Sequence, residues 1–223
     1  MTLLHLPYTA WHLAYVAIGA GLASRLELSR LAWALLAFFL AVGIAAHCLD
    51  ELHGRPLGTA VPRVLLASAA AAGLCGAAAI GVWGTRLVGL PLLVLVAVGV
   101  ALVLAYNLEL FGGAFHSDAC FALAWGAFPV LVGGFAQTGS VELPVVIGAA
   151  FGAATSRAQR TLSNWARGLR RGAITLEGTV ARTHAPPEPL EVAALAAPAE
   201  AALLASSFAH VLLAAALVAA SLR

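Results

Sequence analysis

His47, Asp50 and Glu51 close a long apolar run, and His53 follows two residues later. A second polar group ends another apolar run: Tyr106, Asn107 and Glu109, then His116 and Asp118. Charged groups at membrane depth cost about 2.5–3.5 kcal/mol on insertion scales. They persist where they pair, hold an ion or line a wet cavity. Positions three and four apart share a helix face, so a helical reading puts His47, Asp50 and Glu51 in one sector. Imidazole with carboxylate suits Zn, Mn or Fe, and carboxylate-rich sets suit Mg. Helical bundles build such centres from side chains on facing helices. The expected metal set is therefore His47, Asp50, Glu51, His53, Glu109, His116 and Asp118, with Asp50, Glu51 and Asp118 as catalytic carboxylates. The alternative is a polar cap wetted by lipid headgroups.

Further along, Arg157, Arg160 and Asn164 lie on one face of a helix, and Arg167 nearly so. Arginine forks suit phosphate and carboxylate. Arg157, Arg160 and Asn164, together with Tyr106 and Asn107, are the expected substrate-binding residues. The competing reading is a positive stripe over anionic lipid. His12 and His210 stand among apolar neighbours. Each is a candidate axial ligand or proton relay, or a histidine that bonds a neighbouring helix. His184 belongs to a polar loop beside Pro186 and Pro187. Trp11, Trp33, Trp83, Trp125 and Trp165 read as interface anchors.

The elements that must position these groups are helices. The chain has 223 residues, 62% hydrophobic and 10% charged, with mean hydropathy +0.96. Soluble domains carry about 25% charged residues. The expected fold is an all-α, polytopic transmembrane bundle of about seven spans, forming one integral membrane domain over residues 1–223. Helices are expected near 8–24, 30–50, 63–84, 87–107, 117–138, 141–160 and 200–222. The stretch 189–222 is expected to break near Pro198 into a short piece and a last helix. The N-terminus, with His5 and Pro7 but no basic region, reads as the first span and not as a cleaved signal. Lysine is absent, and no basic arm invites nucleic acid at a net charge of +2. Cys48, Cys75 and Cys120 have no CxxC spacing and suggest packing. Small residues such as those at 69–73 and 148–154 allow close helix approach.

Orientation follows the arginines. Arg55 and Arg63, and then Arg157, Arg160, Arg167, Arg170, Arg171 and Arg182, mark one side as cytoplasmic. The N-terminus and both polar groups fall on that side, against Arg25, Arg30 and Arg86 opposite.

In the order of these features the chain resembles the UbiA superfamily of intramembrane prenyltransferases. Leu6-Pro7 with Gly19-Ala20-Gly21 is similar to the family's opening. The segment 47–59 stands where its first aspartate-rich motif belongs, and Tyr106 where its tyrosine ends a helix. Gly112-Gly113, Asp118, the run from Gly126 to Gly134, and Gln137-Thr138-Gly139 carry the closest likeness. The resemblance implies a helical bundle around a cavity open to lipid, in a bacterial or archaeal cytoplasmic membrane. It also implies an isoprenyl diphosphate held with Mg²⁺ by two aspartate-rich motifs on the cytoplasmic side. Here His47 replaces the first aspartate, Glu109 stands near an expected basic residue, and 156–164 lacks the second motif's carboxylates. The chain is also shorter than the family by roughly two helices.

Three functions follow as expectations. The first is an intramembrane metalloenzyme, with Fe, Zn or Mn, acting on a lipophilic, isoprenoid-like substrate drawn from the membrane lipid. The second is a divergent Mg²⁺-dependent prenyltransferase. The third is a metal- or lipid-binding membrane protein without catalysis. The reaction and the oligomeric state stay open.

Overall fold

A computed structural model describes residues 6–223. The expectation attached to His5 and the N-terminus lies outside the described residues, as do the side chains of Arg182 and Ala185.

The described residues form seven continuous helices: α1 (Leu6–Leu22), α2 (Leu28–His53), α3 (Arg63–Val88), α4 (Leu92–Asn107), α5 (Asp118–Thr138), α6 (Leu143–Arg170) and α7 (Val192–Ser221). A two-stranded antiparallel hairpin, β1 (Thr179–Arg182) and β2 (Ala185–Pro189), joins α6 to α7. It occupies a stretch expected to be loop, and His184 sits exposed in its turn. Four helices are long and apolar enough to cross a membrane: α2, α3, α5 and α7. The other three fall short for distinct reasons. α1 and α4 have 17 and 16 residues, and the second half of α6 is charged.

The boundary expected at 84–87 lies at 88–92, and two other ends differ more. α6 runs ten residues further, to Arg170, because no proline falls between Arg160 and Arg171. Arg167 and Arg170 in its last turn complement the helix dipole, and Gly172 at φ 69° ends the segment. α7 starts at Val192 and carries Pro198 inside it, so the expected break does not occur. The proline removes one backbone bond. Neighbouring Ala196 and Ala199 are buried, and Arg170 pairs with Glu200 at 2.8 Å, so packing against α6 holds the turn.

Two cores share α5. One gathers Trp11, Tyr15, Ile18, Val130, Val145 and Ala214 from α1, α5, α6 and α7. The other gathers Val42, Leu49, Leu66, Val103, Phe121 and Trp125 from α2, α3, α4 and α5. Helices cross closely where glycines leave room. A Cβ on Gly133 would lie 2.1 Å from the Val16 carbonyl oxygen, and one on Gly126 2.3 Å from that of Gly152. Trp11 and Trp125 are therefore core residues, 2% and 4% exposed, and not interface anchors.

Alternating helices place the ends of α2, α4 and α6 together. We call this the polar end. The opposite end is tied by short connections. Ser24 donates through its backbone and hydroxyl to Glu142, each at 2.8 Å, which holds the Glu142 carboxyl below its usual range. The Glu27 amide donates to Gln137 Oε1 at 2.9 Å.

Candidate functional site at the polar end

Two wide, π-helical turns interrupt the bundle beside this end, at Phe39–Ala46 in α2 and Ala122–Ala127 in α5. Such turns are often found at functional sites. The first delivers His47, whose Nδ1 lies 2.8 Å from the Val42 carbonyl oxygen. The second carries Trp125, whose ring meets Tyr106 edge-on at 5.3 Å.

Arg160 of α6 turns into the bundle. Its Nε donates to Asp118 at 2.5 Å, and a terminal nitrogen donates to the Tyr106 hydroxyl. Its guanidinium lies 5.0 Å from the Phe121 ring centroid. Two of five N–H donors are thus engaged, and the planar fork keeps the rest. On the facing wall Tyr8 packs on His12 at 4.1 Å and meets the His47 ring edge-on at 5.9 Å. The charges that act on Tyr8 come from Asp50, Arg167 and Arg160, besides Tyr106. Asp50 feels Arg167 and Glu109. Tyr8, His47, Asp50, Tyr106, Arg160 and Arg167 thus cluster at the polar end, a grouping we call the chamber. Asp50 is exposed at this end.

The seven expected ligands do not gather. His47 and Asp50 share the chamber face, as their spacing requires. Glu51 turns away and is wholly buried. Its Oε2 accepts from the Leu57 amide at 3.0 Å, and its Oε1 from the Thr59 amide and hydroxyl at 2.7 and 2.9 Å. Arg55 adds bonds to the Thr59 and Val61 carbonyls at 2.6 and 3.3 Å. Glu51 is thus a clamp on the connection 54–62, in place of the ligand and catalytic carboxylate expected. Asp118 pairs with Arg160. Glu109 lies between two histidines, His53 Nε2 and His116 Nδ1, each 3.8 Å from one of its oxygens. Among the described residues, no group of three or more His, Cys, Asp and Glu is placed to hold an ion.

The expected substrate residues also separate. Tyr106 and Arg160 face the chamber. Asn107 is buried and donates back to the Val103 carbonyl at 2.7 Å. Arg157 is exposed on α6, and Asn164 accepts from Arg167 at 2.7 Å. His12 and His210 bond their own helices, at the Tyr8 and Ser206 carbonyls, each at 2.7 Å. Among the described residues they make no hydrogen bond to a neighbouring helix, and their buried Nε2 atoms have no hydrogen-bond partner. Sequence reasoning left Tyr8 and Arg167 out of the site. Arg167 lies two turns beyond Arg160 on the same face, a signal that was readable. Tyr8 carries no charge and gave none.

The clamp makes a measurable prediction. In Glu51→Ala the Leu57 and Thr59 amides lose their acceptor. Their hydrogen exchange is expected to quicken by about tenfold. Unchanged exchange at both amides contradicts the clamp.

Compared with protein-family models, with curated proteins and with solved structures, the chain matches none.

Proposed function

We propose that the chain is a UbiA-like membrane protein of seven spans. Its chamber, on the cytoplasmic side, takes the anionic head of a lipophilic, isoprenoid-type substrate for enzymatic group transfer. The observation that carries this reading is Arg160. It is a largely buried arginine pinned by Asp118 and Tyr106 beside aromatic rings, with donors to spare. Holding an arginine in one geometry before a ligand arrives is what anion recognition requires. Arg167 adds a second positive charge to the same chamber. The Phe121 ring beside the Arg160 guanidinium gives the head an apolar border. Asp50 is the carboxylate available to a Mg²⁺ ion carried in with a diphosphate. The isoprenoid character of the substrate rests on the family resemblance alone.

The test is farnesyl diphosphate with Mg²⁺, added to protein purified in mild detergent. At one hundred times Kd a ligand stabilises by about 2.7 kcal/mol. That is a rise of several degrees in melting temperature for a chain of this size. No shift at saturating probe overturns the reading.

The second reading is a metal-dependent enzyme with Fe, Zn or Mn. What favours it is that His53, at the end of α2, and His116, in the connection after α4, each lie 3.8 Å from Glu109. Elemental analysis of protein purified without added metal or chelator decides it. Stoichiometric transition metal, lost in Glu109→Ala, supports this reading, and its absence refutes it.

A further inference from the structure

An apolar crevice lies between α2, α3, α4 and α5 and runs from mid-bundle to the end opposite the chamber. Its cavity volume is about 130 Å³. An apolar cavity of about 150 Å³ suffices for a benzene ring, so this space admits a short stretch of hydrocarbon. It exists because facing turns carry small residues, among them Ala37, Ala78 and Gly81. Trp125 and Val103 line its inner end. At its outer end stand Trp33 and Trp83, with ring centroids 5.6 Å apart and about two-fifths exposed. Tryptophans in such places mark the level of lipid headgroups.

One charged side chain lines the crevice, Arg30, in the first turn of α2. It donates to the Gln137 carbonyl at 2.5 Å. The nearby carboxylate, Glu27, is bound by Arg25. A cation at the mouth of an apolar slot, level with headgroups, complements an anionic lipid. We propose that the crevice holds one acyl chain of an anionic membrane phospholipid, with its phosphate at Arg30. The site is separate from the chamber and stands without the function proposed for it. It requires only that the helices lie in a bilayer.

Brominated acyl chains quench tryptophans that they touch. Trp33 and Trp83 meet the surrounding lipid wherever the protein is embedded, so their quenching reports insertion. Trp125 is 4% exposed and meets a bromine only if a chain enters the crevice. The experiment compares nanodiscs of brominated phosphatidylglycerol with nanodiscs of brominated phosphatidylcholine. The part of the quenching due to Trp125 is the part lost in Trp125→Phe. That part is expected to be present, larger in the anionic lipid, and abolished in Ala78→Phe, which fills the slot. Arg30→Gln is expected to remove the preference for phosphatidylglycerol while leaving the quenching. If Ala78→Phe does not fold, Ala37→Leu narrows the same space. Absence of Trp125 quenching in the native protein overturns the site, provided Trp33 and Trp83 are quenched. Equal quenching in both lipids overturns the role of Arg30.

Discussion

Arg160→Gln is expected to weaken farnesyl diphosphate binding by about 10- to 100-fold while the protein still folds. Charge-assisted hydrogen bonds contribute about 1.5–3 kcal/mol, and each 1.4 kcal/mol is a factor of ten in Kd. Folding should survive because the Asp118 side chain, which the change leaves behind, is 47% exposed. Ion pairs with so wet a partner contribute about 0–1 kcal/mol. Tyr106 would keep its ring contacts with Trp125 and Phe121. The check is a binding isotherm and a thermal melt on the same preparation. Arg157→Gln is the matched control. Arg157 is exposed on α6, so its loss should change affinity less than twofold. Equal losses in both variants contradict a dedicated role for Arg160 and point to general attraction by a basic surface.

The second large effect concerns the scaffold. Gly133→Val is expected to destabilise the protein by about 3 kcal/mol or more, the upper range for overpacked cores. The new Cβ would fall 2.1 Å from the Val16 carbonyl oxygen. On the other side of the same crossing, a Cβ on Gly19 would lie 2.0 Å from the Val130 carbonyl oxygen. Backbone meets backbone there, so no side chain can swing aside, and α1 must part from α5. The readouts are yield of monodisperse protein and melting temperature. Gly54→Ala is the control, since a Cβ at Gly54 meets nothing within 4 Å. A Gly133→Val protein as stable as Gly54→Ala would mean that α1 and α5 do not cross as described.

These contacts explain which parts were readable. The run from Gly126 to Gly134 holds three glycines, and these are places where α5 touches α1 and α6. Close helix approach leaves a mark in sequence because only small residues permit it. The helical class and the long apolar helices were readable for a similar reason, since apolar runs of that length admit little else. Ends were harder. Nothing in residues 157–171 marks where lipid stops and helix continues, so α6 ran past its expected end. Pro198 argued for a break that packing of Ala196 and Ala199 prevents.

At the site, the shared face of His47 and Asp50 was readable from spacing. The direction of Glu51 was not. It depends on how the connection 54–62 folds back, with Arg55 at φ 45° and Gly58 at φ 60° presenting the Leu57 and Thr59 amides. A carboxylate one turn from a histidine looks the same in sequence whether it meets an ion or a backbone amide. Asp118 and Arg160 stand 42 residues apart, so their pairing belongs to the tertiary fold and left no local pattern.

The central claim is that the chamber recognises an anionic head on an apolar tail. The measurement that tests it most directly is the melting temperature of the detergent-purified protein with three matched probes. These are farnesyl diphosphate, farnesol and inorganic pyrophosphate, each with Mg²⁺. The account predicts a clear rise with farnesyl diphosphate, a small one with pyrophosphate and none with farnesol. A rise with farnesol equal to that with the diphosphate, or no rise with any probe, would contradict it.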